Sequence, residues 1–405
     1  MKKILYSQLL EQIPVEVKKI LTIFLQEEAD SIRLVGGCVR DMIAGRKVKD
    51  FDFATKFLPQ KTIEILERNK INAVPTGVKF GTITAVIDGK HFEITTLRQD
   101  QGQDGRHCEP QFIDDYFFDA ARRDFTINAL YLDNEGFVHD YFDGISDLKN
   151  NIVKFIGDAN ERIKEDYLRI LRFFRFSCRY SSSIDIVGLK ACVAQKNGIK
   201  SLSADRIRNE VFNILENSEN EKLLWILHEI EKVNLAEEIF VTKIQIEHLQ
   251  KLMNLEEAFK IKLSSHVKFA ALILQKNINL AEILTHFNFS NNEKKYYQFL
   301  FAKTFHILSF DIKTLRELLF YEEKEMVRDL YLLGLIRNHQ EKNESEKILQ
   351  YIKNFSAPKF PVNGNDLLEV GVAGGKQMGE ALARLQKIWI DSDFAKTKDE
   401  LMGML

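Results

Sequence analysis

The sequence has few of the residues that mark several common protein classes. Its 405 residues include four cysteines and six prolines, and no two cysteines form a C-x-x-C pair. This scarcity argues against a disulfide framework and a structural zinc site, and it favours a reducing compartment, the cytosol. No apolar run approaches the ~20 residues of a membrane helix, so no membrane partner is expected.

A strong excess of positive charge is also absent. Lys and Arg number 57 against 59 Asp and Glu, for a formal net charge of −2. Total charge therefore does not by itself indicate a nucleic-acid partner. The cations are unevenly placed, however, because residues 160–210 carry clearly more Lys and Arg than Asp and Glu.

The residue pattern changes along the chain. A chain of 405 residues is too long for one small core. Up to about residue 145, short β-rich runs alternate with amphipathic stretches, whereas the later pattern is helical almost throughout. We therefore expect an α+β protein: a catalytic head at 1–145, an all-helical neck at 146–217, and a helical body and tail at 218–405.

Local signals place the elements of the predicted head. A strand at 32–35 ends in two glycines and is followed by a helix at 38–44. Residues 51–55 alternate as a strand. Two β-rich runs, 82–87 and 91–97, are joined through Asp-Gly, which predicts a hairpin.

Two short motifs in this head suggest phosphate and metal chemistry. Gly36 and Gly37 between a strand and a helix leave backbone N–H groups for phosphate oxygens, and Arg40 adds a forked donor. Asp50 and Asp52 alternate on a predicted strand, so both carboxylates point to one face and can hold Mg²⁺. Taken alone, the two motifs are better explained by a glycine turn and a solvated strand edge. Their order and spacing together favour chemistry.

These residues resemble the signature of a known family. G-G-x-V-R-D at 36–41 followed by D-x-D at 50–52 is similar to the class II tRNA nucleotidyltransferases of the polymerase β superfamily, which include CCA-adding enzymes and bacterial poly(A) polymerases. The resemblance implies a polymerase β-like head with a mixed or antiparallel sheet, Mg²⁺ held by Asp50 and Asp52, and tRNA, CTP and ATP as partners, without DNA. It implies untemplated addition of C, C and A to tRNA with release of pyrophosphate. Its motifs span residues 33 to 210, about half of the chain.

A second head motif, residues 122–128, matches R-R-D-x-T-x-N of this family. The resemblance implies that Arg123 contacts the nucleotide phosphates and Asp124 the ribose hydroxyl. A carboxylate left unsatisfied without a 2′-hydroxyl would disfavour deoxynucleotides. The plainer alternative is a charged helix start with Asp124 near an N-cap. Glu93 is either a third catalytic carboxylate or a strand residue paired with a base, and the sequence leaves both open.

The neck holds the candidate residues for base selection. Asp166 and Arg169 lie one turn apart on a predicted helix, 160–180, where a simple salt bridge would explain them. They also match the family's E-D-x-x-R motif, which implies that the carboxylate accepts from the amine of cytosine or adenine while the guanidinium donates to the ring nitrogen. Arg172 is predicted to reach phosphate or sugar. Arg175 is predicted either to contact the nucleotide or to brace the helix against the head.

A further neck motif resembles S-x-x-R-I-x-x-E. Ser203 is expected to cap the helix that follows it, and Arg206 and Glu210 are expected to support the selection helix.

Finer features favour a CCA-adding enzyme, with a poly(A) or A-only polymerase as the alternative. Residues 77–84 look like the family's G-x-K-[HF]-G-T-x-T, whereas poly(A) polymerases carry a Gly-Arg-Arg-Phe type sequence there. Residues 99–111 are similar to the flexible loop of complete CCA enzymes, and His107 within them has no partner histidine at metal-ligand spacing.

Overall fold

A computed structural model describes residues 1–101, 109–307, 310–337 and 342–405 of the chain. Contacts divide it into two compact units, Met1–Val241 and Thr242–Leu405. The boundaries predicted for head, neck and body stay a prediction. Most of the predicted loop at 99–111, including His107, lies outside the described residues.

The first unit contains every described strand. These are β1 (Lys2–Leu5), β2 (Ile32–Val35), β3 (Asp52–Thr55), β4 (Asn72–Gly77), β5 (Thr82–Ile87), β6 (Lys90–Thr96), β7 (Arg98–Gln101), β8 (Glu109–Phe112), β9 (Leu130–Leu132) and β10 (Phe137–Asp140). One mixed sheet has the order β1-β10-β9-β2-β3-β6-β5-β4, and β7 and β8 form a separate ribbon. Within the large sheet β3 and β6 are parallel, and the other pairs are antiparallel.

The same unit contributes helices on and after the sheet. They are α1 (Val15–Leu25), α2 (Gly37–Ile43), α3 (Pro59–Arg68), α4 (Tyr116–Ala121), α5 (Gly144–Lys149), α6 (Ala159–Glu165), α7 (Leu168–Tyr180), α8 (Ile186–Ala194), α9 (Ala204–Asn217), α10 (Asn220–Lys232) and α11 (Ala236–Phe240).

Apolar periodicity explains the core of the sheet. On α1, Ile20 and Phe24 recur at helical spacing and are completely buried with Leu34 of β2 and Phe53 of β3. Burial of each such side chain stabilises the fold by about 1.5–3 kcal/mol. The middle strands β2 and β3 are therefore fixed tightly, and the residues at their ends are held in a constant position.

The predicted hairpin is present. β5 and β6 pair in antiparallel register, and between them Asp88 and Gly89 have φ of 50° and 75°. Two consecutive positive φ values are what the Asp-Gly sequence favours, because aspartate and glycine tolerate this conformation best.

The predicted neck helix at 160–180 is interrupted, so that prediction was wrong in one respect. α6 ends at Glu165 and α7 begins at Leu168, while Asp166 between them is extended, with φ −156° and ψ 104°. The ring of Tyr167 lies where a side chain on Gly198 would stand, 2.0 Å from the Cβ position of that glycine. Tyr167, between α6 and α7, therefore packs closely against the 3₁₀ helix Lys196–Ser201. A contact with a segment this far along the chain cannot be read from a local sequence pattern.

Every regular element described in the second unit is a helix, and turns and loops connect these helices. Its helices are α12 (Ile246–Phe259), α13 (Ser265–Ile273), α14 (Leu280–His286), α15 (Asn291–Thr304), α16 (Ile312–Tyr321), α17 (Lys324–Arg337), α18 (Lys342–Asn354), α19 (Gly364–Glu369), α20 (Lys376–Asp391) and α21 (Lys398–Met402). Near its end, Leu367, Leu385, Trp389 and Leu401 form a small core of their own. The predicted α+β class is confirmed. Among the described helices, none has the length and apolar character needed to cross a bilayer.

Candidate active site

The glycine turn after β2 approaches Arg123 closely. Gly36 has φ +73°, and its N–H donates to the Leu130 carbonyl at 3.0 Å. A Cβ on Gly36 would stand 3.2 Å from Nη1 of Arg123. Glycine is required both by the positive φ and by this approach, and α2 starts at the next residue, Gly37.

Arg40 is buried and is held by protein partners. Its Nε lies 3.0 Å from Asp41 Oδ1, its Nη1 donates to Asn128 Oδ1, and its guanidinium lies 4.2 Å from the centre of the Tyr180 ring. Nη2 lies 3.6 Å from where a Cβ on Gly37 would be, on the side of the glycine turn. Arg40 thus links α2 to α7 and keeps one terminal nitrogen toward the predicted phosphate position.

The predicted metal carboxylates lie at the start of β3. Asp52 is the first residue of the strand and is partly buried, whereas Asp50 precedes it and is exposed. Glu93 on the parallel strand β6 is in register with Asp52. Burial raises the pKa of Asp52 to about 6, with the charges of Glu93 and Asp50 adding to the shift and Arg123 opposing it. These carboxylates are therefore close enough to repel one another.

This donor set fits a divalent cation of the magnesium type. Among the described residues no cluster of three His, Cys, Asp or Glu side chains forms a ready metal cage. Mg²⁺ is commonly held by one or two carboxylates, with water and substrate phosphates completing its oxygen shell. A cation beside Asp50 and Asp52 would offset the burial that raises the pKa of Asp52 and the carboxylate repulsion that adds to it.

Arg123 is anchored by two residues that the sequence patterns did not single out. Its Nη2 lies 3.1 Å from Asp119 Oδ2, its Nε lies 3.2 Å from the Tyr131 hydroxyl, and that hydroxyl donates to Asp119 at 2.6 Å. Burial acts to raise the pKa of Asp119, but Arg123 and Arg122 outweigh it and lower the pKa to about 2. The Arg123 guanidinium is therefore fixed beside Gly36 by an ionised partner.

Asp124 faces the neck. Its Oδ2 accepts from Arg172 Nε at 2.8 Å and Nη2 at 2.6 Å, and its Oδ1 accepts from Asn128 Nδ2 at 2.9 Å. Burial acts to raise the pKa of Asp124, yet Arg172 and Asn128 hold it below the ordinary value. The head motif and the neck helix therefore share an ion pair whose carboxylate is buried and whose guanidinium is partly buried.

Two more neck arginines bind the backbone of the same head motif. Arg162 Nη2 donates to the carbonyls of Arg122 and Arg123, the latter at 2.7 Å. Arg169 Nη2 lies 3.3 Å from the Arg122 carbonyl, and its Nη1 donates to Glu165 and, at 2.6 Å, to the Arg162 carbonyl. Arg169, which is predicted to help select the base, is therefore held directly against the segment that carries Arg123 and Asp124.

Asp166 has a different partner from the one its spacing predicts. Its Oδ2 accepts from Arg206 Nη2 of α9 at 2.7 Å, and its Oδ1 accepts from the Leu168 N–H at 3.1 Å. Arg206, which was predicted to support the selection helix, therefore contacts the Asp166 carboxylate directly. Ser203 occupies the N-cap position of α9 as expected, but its side chain makes no capping hydrogen bond.

Arg175 is braced against α9 instead of the head. Its Nε donates to Glu210 Oε2, and Glu210 also lies 3.8 Å from Arg172 Nη1. Of the two roles the sequence left open for Arg175, a bracing role fits this contact, with α9 as the partner.

Sequence reasoning missed Asp119, Tyr131, Arg162 and Tyr180 as parts of the site. Asp119 lies on α4, and Arg123 follows four residues later, just beyond the end of that helix, so i,i+4 spacing was an available signal. Tyr131 comes from a strand, and no spacing rule connects it to Asp119.

Sequence comparison with known proteins shows which family this chain belongs to. Residues 32–154 match the family model of the poly A polymerase head domain. Over 400 residues the chain is 32% identical to CCA tRNA nucleotidyltransferase 1, mitochondrial, of Mus musculus, an alignment that covers 96% of this chain and 89% of the mouse protein. The chain belongs to the CCA tRNA nucleotidyltransferases. The family predicted from the motifs and its enzyme class, CCA tRNA nucleotidyltransferase, are confirmed.

Solved structures of CCA-adding enzymes share the fold. The Bacillus stearothermophilus enzyme in complex with CTP has a TM-score of 0.75 at 22% identity, covering 94% of each chain. The Thermotoga maritima enzyme complexed with tRNA has a TM-score of 0.67 at 21% identity, covering 100% of this chain and 98% of the other. At these identities the structural likeness establishes the fold alone.

Proposed function

We propose that this CCA tRNA nucleotidyltransferase assembles one nucleotide site from the head and the neck. The observation that carries the proposal is the set of bonds from Arg162, Arg169 and Arg172 to residues 122–124 of the head. Because these bonds are direct, a nucleotide whose phosphates lie near Arg123 has its base close to Asp166 and Arg169. The poly A polymerase head model supports the chemistry of the head alone.

In the proposed reaction the 3′-hydroxyl oxygen of the RNA attacks the α-phosphorus of the nucleotide. The bond from that phosphorus to the bridging oxygen breaks, pyrophosphate leaves with the electron pair of that bond, and the proton of the hydroxyl passes to water. Arg123, Arg40 and the backbone of Gly36 and Gly37 would bind the phosphates. Asp50 and Asp52 would hold Mg²⁺, which when bound neutralises charge on the phosphate oxygens and orients the hydroxyl.

Asp166 and Arg169 keep hydrogen-bonding capacity for a base. A carboxylate has about four acceptor sites, and Asp166 uses two of them, for Arg206 and Leu168. Arg169 has five N–H donors, and the contacts with Glu165 and the two backbone carbonyls account for three. Cytosine and adenine each offer an amine beside an acceptor nitrogen, so one protein pair would serve both bases and leave uracil or guanine unpaired.

Asp124 would receive the ribose hydroxyl. Its Oδ2 is already bound to Arg172, so a sugar hydroxyl would join an existing ionised pair.

The expected compartment is the cytosol, which is supported by free thiols at Cys38, Cys178 and Cys192.

An end-labelled tRNA transcript that stops at the discriminator base tests the proposal. Incubated with each nucleoside triphosphate alone and then with CTP plus ATP, it should gain C, C and A and then stop. Long A tails on unstructured RNA would instead support the poly(A) alternative. Asp52→Ala should lose all transfer, and substantial residual turnover would remove Asp52 from the metal site.

A further inference from the structure

A basic cleft lies beside Asp50 within the first unit. It opens between the loop before β3 and the helices α7 and α9. Its lining side chains are those of Lys49, Arg175, Arg179, Asn213, Asn217 and Ser218. None of these residues is acidic, and all of them can donate hydrogen bonds.

Lys49 brings an unpaired charge to the cleft. It is exposed, and within the described part of the chain it has no carboxylate partner. It directly precedes Asp50 in the sequence. The cleft therefore begins next to the carboxylates proposed to hold the metal.

Of the two arginines of the cleft, Arg179 is incompletely neutralised. Arg175 and Arg179 lie four residues apart on one face of α7. Glu210 accepts from Arg175 Nε but is shared with Arg172. Arg179 Nη2 lies 3.7 Å from Asp41, a carboxylate that already contacts Arg40 at 3.0 Å. Arg172 is already paired with Asp124, so Glu210 offsets the charge of Arg175. Asp41 is shared by Arg40 and Arg179, and Lys49 has no carboxylate partner among the described residues, so positive charge is left at the cleft.

Neutral donors complete the lining at the end of α9. Ser218 Oγ accepts from the Cys178 thiol at 3.0 Å, so its own hydroxyl hydrogen is available. Asn217 Nδ2 makes only long contacts of 3.4 Å with Asn213. Proteins bind nucleic-acid phosphates mainly through Lys and Arg side chains together with hydroxyl and amide donors such as Ser and Asn.

We propose that this cleft binds a backbone phosphate of the RNA strand whose 3′ end is being extended. The inference rests on the proposed function, since that function brings an RNA 3′-hydroxyl to Asp50 and Asp52. The triphosphate of the incoming nucleotide is assigned to Arg123 and the glycine turn, which leaves the cleft for another phosphate group. Contacts to the backbone carry no sequence information, so one cleft would serve every tRNA.

The product pyrophosphate also carries phosphate oxygens that could bind in this cleft. The following measurements distinguish pyrophosphate from an RNA backbone phosphate. Binding of a labelled tRNA transcript that lacks CCA is measured by fluorescence anisotropy without nucleotide, over a range of salt concentrations. The KM for CTP and the inhibition by pyrophosphate are measured separately at saturating tRNA. Lys49→Ala and Arg179→Ala are compared with Lys47→Ala, a matched control because Lys47 is also exposed but does not line the cleft.

Loss of one phosphate contact should weaken RNA binding about three- to tenfold in Lys49→Ala and lower the salt slope by about 0.7. The KM for CTP and the pyrophosphate inhibition should stay unchanged, and Lys47→Ala should bind RNA like the wild type. Unchanged RNA affinity in both cleft variants would overturn the proposal, as would an equal loss in Lys47→Ala. A change in pyrophosphate inhibition alone would assign the cleft to the product. A wild-type enzyme that fails to add C, C and A would refute the proposed function instead, and the binding measurement does not depend on it.

Discussion

Asp166 accepts its side-chain hydrogen bond from Arg206, at 2.7 Å, while Arg169 donates to Glu165 and to backbone carbonyls. The two residues proposed to read the base are therefore fixed independently, one by α9 and the other by the end of α6. A base that binds between Asp166 and Arg169 would meet two side chains whose orientations are already fixed. It would not need to break a salt bridge between these two residues. If Asp166 reads the base as proposed, Arg206 would be a positioning residue that acts through Asp166.

Arg206→Ala should loosen base choice more than it slows CMP transfer. Without the guanidinium, the Asp166 carboxylate gains rotamer freedom and no longer presents one oxygen to the amine of the base. We expect the ratio of kcat/KM for CTP over UTP to fall about tenfold, a change of about 1.4 kcal/mol in discrimination. Single-nucleotide incorporation with each triphosphate measures that ratio.

Two controls separate this effect from general damage to α9. Asn209→Ala changes an exposed residue of the same helix and should leave the ratio unchanged. Arg206→Lys keeps the charge and should recover part of the discrimination. If Asn209→Ala and Arg206→Ala lowered the ratio equally, Arg206 would have no specific role.

Gly36→Ala should reduce catalysis through Arg123. The added methyl would lie 3.2 Å from Nη1 of Arg123, and the positive φ adds strain. Gly45→Ala is a matched control, because Gly45 has a similar φ of +65° and nothing within 4 Å of its Cβ position. Both variants should lose about 1 kcal/mol of stability. Only Gly36→Ala should lower kcat strongly, by about tenfold or more; equal kcat losses in both variants would reject the steric argument.

The sequence predicted the local parts of this site well. Turn chemistry identified Asp88 and Gly89, and strand alternation placed Asp52 on β3. The break between α6 and α7 escaped prediction, because it depends on Tyr167 packing against a glycine that lies about thirty residues further along the chain. The partner of Asp166 was missed for the same reason, since Arg206 is 40 residues away and i,i+3 spacing favoured Arg169.

The pKa of Asp52 leads to a stability prediction with a defined sign. Its pKa is about 6 in the folded protein against an ordinary 3.8, so the metal-free native state binds more protons between these values and loses stability as pH rises. Asp52→Asn removes the buried charge. It should raise the free energy of unfolding of the metal-free protein above pH 6, by at most about 3 kcal/mol, with little gain below pH 4.

Chemical unfolding in the presence of a chelator, at several pH values, measures the gain from Asp52→Asn. Asp50→Asn is the comparison, because the Asp50 carboxylate is exposed and its removal relieves less desolvation. Both variants should be inactive, and Asp52→Asn should show the larger gain. A wild-type stability that stays constant between pH 4 and 7, with no gain in Asp52→Asn, would contradict the electrostatic description of the metal site.

Asp124 and Arg172 should be energetically coupled across the contact of head and neck. Arg172→Met leaves the buried Asp124 carboxylate without its guanidinium and should cost about 2–4 kcal/mol of unfolding free energy. Asp124→Asn in the same protein removes the stranded charge, so the double variant should lose less than the two single losses added together. Because the pKa of Asp124 is lowered, the coupling should be complete near neutral pH and shrink as pH falls below the ordinary carboxyl range.

The exposed pair of Lys164 and Glu161, at a similar 2.8 Å, is the control and should show almost no coupling, since solvent screens it. Additive losses for Asp124 and Arg172 would mean that the head and neck are joined by other contacts.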